Sequence, residues 1–207
     1  MTRRPTPPMA PPEDTQALLF DCDGTLVDTL GLYRICWRQV FGRYGFEMSD
    51  EWFATWAGHS MDPFVLAALP DLTDDEIDQV AQEGVDLFLD STHLLEPLEH
   101  VVEVARGFHG RLPMAVVSGG PRPAVLASLE AVGIAHLFSL VVTVDDVENG
   151  KPAPDAYLAA IDALGVDVAH CVAYEDTGVG IAAAEAAGIP TVVDVRWHDE
   201  RTDSRVS

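Results

Sequence analysis

A chain of 207 residues, 48% of them hydrophobic, can bury one domain-sized core, or a core with a small insert. Its formal net charge of −22 at pH 7 argues against nucleic acid and anionic membrane surfaces as partners, since both call for basic patches. The cysteines Cys22, Cys36 and Cys171 are an odd count, and Cys22 and Cys171 lie in apolar strand-like runs where a thiol packs as a small hydrophobe; the expected setting is reduced and cytoplasmic.

Residues 1–15 carry Pro5, Pro7, Pro8, Pro11 and Pro12 and read as a disordered tail. No apolar export segment follows Arg3-Arg4, and no run is long enough to span a bilayer. Ala17–Asp21 is the first predicted strand. From Thr29 to about Leu95 strand runs vanish and helical patterns replace them, over Leu32–Tyr44, Asp50–Ala57, Asp62–Ala68 and Asp74–Leu89. In the last of these, Ile77, Val80, Ala81, Val85 and Phe88 form one apolar face, and Asp74, Asp75 and Glu76 load its start with favourable negative charge. Strands return at Met114–Ser118, Ser139–Val144, His170–Tyr174 and Pro190–Val193, separated by helices over Pro123–Val132, Pro154–Leu164 and Gly180–Ala187. That alternation predicts an α/β fold, a Rossmann-like parallel sheet with right-handed crossovers, interrupted early by a helical insert.

Sites in such sheets form at the carboxyl ends of the strands, and the chemistry-bearing residues cluster there. Asp21 and Asp23 end the first strand; residues two apart point the same way, so both carboxylates can lean toward one reacting group. One can attack while the other moves protons. From chemistry alone the two could exchange roles, and in isolation the pair would read as a strand followed by an acidic turn. Cys22 between them points to the opposite side and reads as core. Ser118 and Gly119 end the second strand, where a hydroxyl and an amide can hold an anionic oxygen or simply form a strand-to-loop turn; Arg122 follows closely enough to reach a ligand, or to face solvent. Lys151, the single lysine of the chain, stands between Gly150 and Pro152 just before a helix. Glu175 and Asp176 offer the hard oxygens that suit Mg²⁺, or else the acids of a solvated helix start. Gly178-Val179-Gly180 imitates a dinucleotide fingerprint, but the two acids before it would meet a pyrophosphate, so it reads as a helix start.

In this order, Asp21-Cys22-Asp23-Gly24-Thr25, Val117-Ser118-Gly119-Gly120, Gly150-Lys151-Pro152 and Tyr174-Glu175-Asp176 resemble the four motifs of the haloacid dehalogenase-like superfamily over roughly residues 16–197. Within it the chain looks most like the beta-phosphoglucomutase-like group. His109–Val116 and the ending Val193-Asp194-Val195-Arg196 look like the bacterial fructose-1-phosphate phosphatases. The resemblance implies a catalytic core over 16–28 and 95–198, a helical cap over 29–94 and a flexible tail at 199–207. It further implies Asp21 as nucleophile, Asp23 as acid-base, Lys151 as charge partner and Ser118, Gly119 and Arg122 as substrate contacts. The metal set would be Asp21, the backbone carbonyl of Asp23, Glu175 through water and Asp176 directly, with Mg²⁺ as cofactor. His59 and Ser60 are candidate cap contacts to sugar hydroxyls. No Lys or Arg occurs between Arg43 and Arg106, so a second substrate phosphate finds no partner there. Tyr33 stands where the mutases and many related sugar phosphatases have a histidine, which weakens both the mutase reading and transfer of a fructose-1-phosphate preference; Met61 stands where the mutases have an arginine, and Gly31 replaces a frequent acid. The expected activity is a Mg²⁺-dependent phosphatase of a small phosphorylated metabolite, such as a sugar phosphate, working through an aspartyl-phosphate. The alternatives are a beta-phosphoglucomutase-like phosphomutase or a non-catalytic binding protein on the same scaffold. The expected assembly is a monomer or weak homodimer.

Overall fold

Ala17–Phe20 (β1), Met114–Val117 (β2), Leu140–Val142 (β3), Cys171–Glu175 (β4) and Thr191–Asp194 (β5) form one parallel sheet in a computed structural model that describes residues 9–56 and 61–198. Every residue of β1, β2 and β4 is buried, which is why these strands read as unbroken apolar runs rather than as alternating ones. The strand order is β3-β2-β1-β4-β5, with Phe20 registered against Val116 on one side and Tyr174 on the other. The chain builds β2 and β3 outward on one side of β1, then crosses to build β4 and β5 on the other. The reversal opens a crevice beyond the carboxyl ends of β1 and β4.

Alternation sorts the sheet into two faces. Leu18, Phe20, Cys22, Val116 and Tyr174 pack with Val101, Val102 and Ala105 of α5 (Glu99–Phe108) and Ala124, Val125 and Leu129 of α6 (Arg122–Ala131). Leu19, Val117 and Ala173 pack with Ala156, Tyr157 and Ala160 of α7 (Asp155–Leu164) and Ala183 and Ala184 of α8 (Gly178–Ala186). Asp21 and Glu175 continue the second face and therefore emerge beside α7. Cys22 falls on the first face as expected, fully buried and free.

The insert forms α1 (Leu30–Arg43), α2 (Asp50–Trp56), α3 (Met61–Ala68) and α4 (Asp74–Ser91). It has its own aromatic-rich core of Trp37, Phe41, Phe53 and Phe64 with Val40, Ile77 and Val80. The rings meet edge-on or tilted, with Trp37 and Phe64 centroids 5.0 Å apart. The acidic start of α4 is closed by Glu76, which accepts the Thr73 N–H at 2.9 Å. Trp37 packs against Gly84 of α4, where a Cβ would come within 2.5 Å of the indole. Gly84→Ala is expected to destabilise the protein by about 1–3 kcal/mol through overpacking, read as a lowered thermal midpoint.

Two details differ from the expected pattern. Helix α5 has no counterpart among the predicted elements. The proline-rich segment is in part packed down: residues 9–15 form no helix or strand, yet Met9 lies against the core and its carbonyl accepts the Tyr174 hydroxyl at 2.8 Å. Among the described residues no helix is long and apolar enough to cross a membrane.

Candidate active site

The loop after β1 places the first acids. The N–H groups of Leu26 and Val27 return to the Cys22 carbonyl at 2.9 and 3.0 Å, and Gly24 N–H donates to the Val27 carbonyl at 2.8 Å. This tight coil needs the positive φ of 80° at Gly24. A side chain there would also collide with Asp176, whose Oδ2 lies 2.3 Å from the position of a Cβ. The glycine thus lets the loop of β1 touch the end of β4. The buried Thr25 hydroxyl stands 3.5 Å from Asp176 Oδ1 across the same gap.

Lys151 ties the strands together. Its Nζ donates to Asp21 Oδ1 at 2.8 Å, to the Val117 carbonyl at 2.8 Å and to Glu175 Oε1 at 2.6 Å, so one ammonium bridges β1, β2 and β4. Burial alone would push its pKa down, but the Asp21 and Glu175 carboxylates outweigh this and hold it above the usual lysine value. Tyr157 of α7, fully buried, donates to the same Glu175 oxygen at 2.6 Å. Asp21, Glu175 and Asp176 present carboxylate oxygens within 4.8 Å of one another. Burial and then the Asp21 charge raise both Glu175 and Asp176 above the usual carboxylate range.

Such a group of buried acids with one ammonium among them is electrostatically incomplete. The donor set is all oxygen, and Glu175 Oε2 is buried with no hydrogen-bond partner among the described residues. Both features fit a hard divalent cation, and Asp21, Glu175 and Asp176 are the residues able to hold it.

Asp23 lies across the opening. It accepts from the Ser118 hydroxyl at 3.3 Å, and the Ser118 oxygen in turn accepts the Gly120 N–H at 3.0 Å. Burial, followed by the neighbouring Asp21 charge, pushes the Asp23 carboxyl up to about 6. The same burial, with Asp23 and Asp21 beside it, holds the Cys22 thiol well above its ordinary value and removes it as a nucleophile.

Asp21, Asp23, Ser118, Lys151, Glu175 and Asp176 thus converge, with Gly119 exposed beside Ser118. Arg122 has other partners: its guanidinium pairs with Asp146 and donates to the Val141 carbonyl at 3.2 Å, while its N–H donates to Asp145. His59 and Ser60 lie outside the described residues. Tyr157 is a site residue that the sequence motifs do not mark, and Gly24 and Gly180, expected as a turn and a helix start, also lie in contact with the acids. A hydroxyl-bearing aromatic six residues after Lys151, on the buried face of the next helix, was the available signal for Tyr157.

A five-stranded parallel sheet with an acidic, lysine-bridged crevice at β1, β2 and β4 and a helical cap inserted after β1 defines the class. Residues 15–188 match the haloacid dehalogenase-like hydrolase family, and the chain belongs to it. It is a phosphoric monoester hydrolase of that superfamily. Among its relatives is the fructose-1-phosphate phosphatase YqaB of Escherichia coli (strain K12), 38% identical over 185 residues, covering 86% of this chain and 95% of the relative. The phosphoglycolate phosphatase of Shigella dysenteriae is 31% identical over 213 residues, with 87% and 81% covered. The crystal structure of CbbY from Rhodobacter sphaeroides in complex with phosphate shares the fold, with a TM-score of 0.78 at 23% identity over 86% of this chain and 85% of that one.

Proposed function

We propose that this hydrolase cleaves a small sugar phosphate, or a related phosphomonoester whose leaving group is uncharged, with Mg²⁺ at the acidic cluster and Asp21 as nucleophile. The observation that carries the reading is the single Lys151 ammonium shared by Asp21, Glu175 and the Val117 carbonyl at 2.6–2.8 Å. It holds Asp21 in a fixed direction at the mouth of the crevice, as an in-line attack on phosphorus requires. What Mg²⁺ supplies when bound is charge neutralisation, without which phosphate oxygens would be repelled by these carboxylates.

The environments of the two aspartates divide their roles. Asp21 rests on an ammonium at 2.8 Å. Asp23 has none among its hydrogen-bond donors and is pushed up to about 6, so near neutral pH it can carry a proton to the leaving oxygen and afterwards take one from water. Ser118 and the exposed backbone around Gly119 stand where phosphate oxygens would be received. Helices α1–α4 would close over the leaving group, and Tyr33, stacked on Phe88 at 4.3 Å, has the pKa of its hydroxyl held well above the usual value by burial and then by the Asp23 charge.

Charge on the cap bears on the substrate. Its arginines are all engaged: Arg34 and Arg38 with Asp50, and Arg43 with Glu83. Arg122 is held by Asp146, and Arg196, beyond β5, by Asp194. Among the described residues a carboxylate or second phosphate on the substrate therefore meets acids and already-paired cations. An unpartnered anionic group brought into such a site costs about 1–3 kcal/mol, or roughly 10–100-fold.

The test is a phosphate-release screen with Mg²⁺ or with EDTA. Fructose 1-phosphate and other monophosphates of neutral sugars are expected to exceed phosphoglycolate and sugar bisphosphates in kcat/KM by about tenfold or more, with no turnover in EDTA. Preference for phosphoglycolate would overturn the substrate assignment, and turnover in EDTA would overturn the metal assignment.

A further inference from the structure

We propose that Tyr157 is a positioning residue for the cation site, acting through Glu175 to select which carboxylate oxygen faces the ion. The inference rests on the metal-dependent reading above. Glu175 is the last residue of β4 and completely buried. Its two oxygens have opposite surroundings. Oε1 accepts two short hydrogen bonds, from Lys151 Nζ and from Tyr157 Oη, both at 2.6 Å. Oε2 accepts none among the described residues. A carboxylate so loaded on one oxygen has the other left for a further positive partner.

Lys151 alone would not enforce that choice. An ammonium is a compact charge on a flexible stem that accepts either carboxylate oxygen, and this one is also shared with Asp21 and Val117. The phenol differs, because its O–H lies near the plane of a ring fixed in the core between α7 and the sheet. Two donors from different directions stop the carboxylate from rotating. The ring also stands 5.2 Å from the Lys151 ammonium, which favours the same arrangement. Gly180 of α8 lies against the face of the same carboxylate, where a Cβ would come within 2.0 Å of Oε2, 2.1 Å of Cδ and 2.2 Å of Oε1. Tyrosine, lysine and glycine together make a slot that fits one carboxylate orientation. A phenylalanine would fill the core volume equally well without a hydroxyl to satisfy, so the hydroxyl at this buried position is explained by the acid it holds.

The test reads cation binding, not turnover. The thermal midpoint of the intact protein is titrated with Mg²⁺ for the wild type, Tyr157→Phe, Glu175→Gln and the Tyr157→Phe/Glu175→Gln double variant. Tyr157→Phe is expected to raise the Mg²⁺ concentration needed for half of the stabilisation by about tenfold, the range found for groups that orient metal ligands. In the Glu175→Gln background it is expected to add nothing, because the effect passes through that carboxylate. Gly180→Ala presses on the face of the same carboxylate and is expected to shift the titration in the same direction. A Tyr157→Phe variant whose midpoint drops equally at every Mg²⁺ concentration, with the titration unmoved, would mean the phenol merely packs and would overturn the proposal. So would an undiminished shift in the Glu175→Gln background. A wild type that does not respond to Mg²⁺ at all would remove the metal reading itself, and this inference with it.

Discussion

Asp21→Asn is expected to abolish phosphate release, by on the order of 10⁴-fold or more, while the protein stays folded. The amide keeps the shape of the carboxylate, and its oxygen can still accept from Lys151, whose other bonds to Glu175 and the Val117 carbonyl are untouched. What disappears is the charged oxygen that would attack phosphorus, and with it the aspartyl-phosphate that divides the reaction into two easier steps. The variant also separates catalysis from stability. The charge of Asp21 contributes to the raised pKa of Asp23, Glu175 and Asp176 alike, so its removal relieves repulsion felt by all three. In EDTA the variant should therefore melt at or above the wild-type temperature. Acid quenching after brief exposure to a radiolabelled sugar phosphate provides the second check, with label retained on the wild type and none on Asp21→Asn. Residual turnover within tenfold of wild type would transfer the nucleophile's role to another residue and undo the assignment. Asp23→Asn would then be the variant to compare, since loss of acid-base help alone costs about 10²–10⁴-fold.

The sheet was legible because three of its strands are buried on both faces and so appear as unbroken apolar runs; each predicted strand lies within two residues of the observed one at either end. The catalytic crevice was legible for a related reason: residues at strand ends in a parallel sheet must converge, which brings Asp21, Ser118 and Asp176 together, while Lys151, nine residues past β3, was marked as the single lysine before a helix. Less local features were harder to read. Helix α5 is the exception, since Val101, Val102, Ala105 and Phe108 recur at helical spacing and form a clear apolar face that the expected elements left out. Arg122 resembled a substrate contact because sequence does not reveal that Asp145 and Asp146, more than twenty residues later, fold back onto it. No local motif marks Tyr157, since it sits on α7 and its partner Glu175 is on β4, 18 residues further along the chain. Gly24 and Gly180 looked like turn and helix-start residues. Their close approach to Asp176 and Glu175 depends on tertiary packing that no local pattern encodes.

Raising the pH without a divalent cation is expected to destabilise this protein through the neutral range, and Mg²⁺ to cancel the loss. Unfolded carboxylates titrate near 4. In the folded chain Asp23 is pushed up to about 6, and Glu175 and Asp176 are raised as well, in each case first by burial and then by Asp21. An acid with a raised folded pKa holds its proton more tightly in the native state than in the unfolded one. Its contribution to stability is therefore greatest below the unfolded pKa and is lost as the pH rises through the folded value. The window opens near pH 4, passes about 6 for Asp23 and extends further for the β4 pair. Lys151 does not interfere, because its raised pKa keeps it charged throughout this range. Glu76 and Glu83, held below the usual range by hydrogen bonds from Thr73 and Tyr44, work in the opposite sense but only at more acidic pH. Asp23 alone, raised from near 4 to about 6, corresponds to roughly 3 kcal/mol over its whole window, or about 6–12 °C in Tm for a chain of this size. About half of that window lies above pH 5, and the raised Glu175 and Asp176 add to it, so in EDTA the midpoint should fall by several degrees between pH 5 and pH 8. Millimolar Mg²⁺ should add little at pH 5 and most of the lost stability at pH 8, since a cation competes with protons for the same oxygens. Asp23→Asn and Asp176→Asn should each flatten the EDTA curve, which distinguishes the crevice from the general acidity of the surface. A midpoint in EDTA that does not change across this range would mean that the buried acids are already balanced by groups other than a cation.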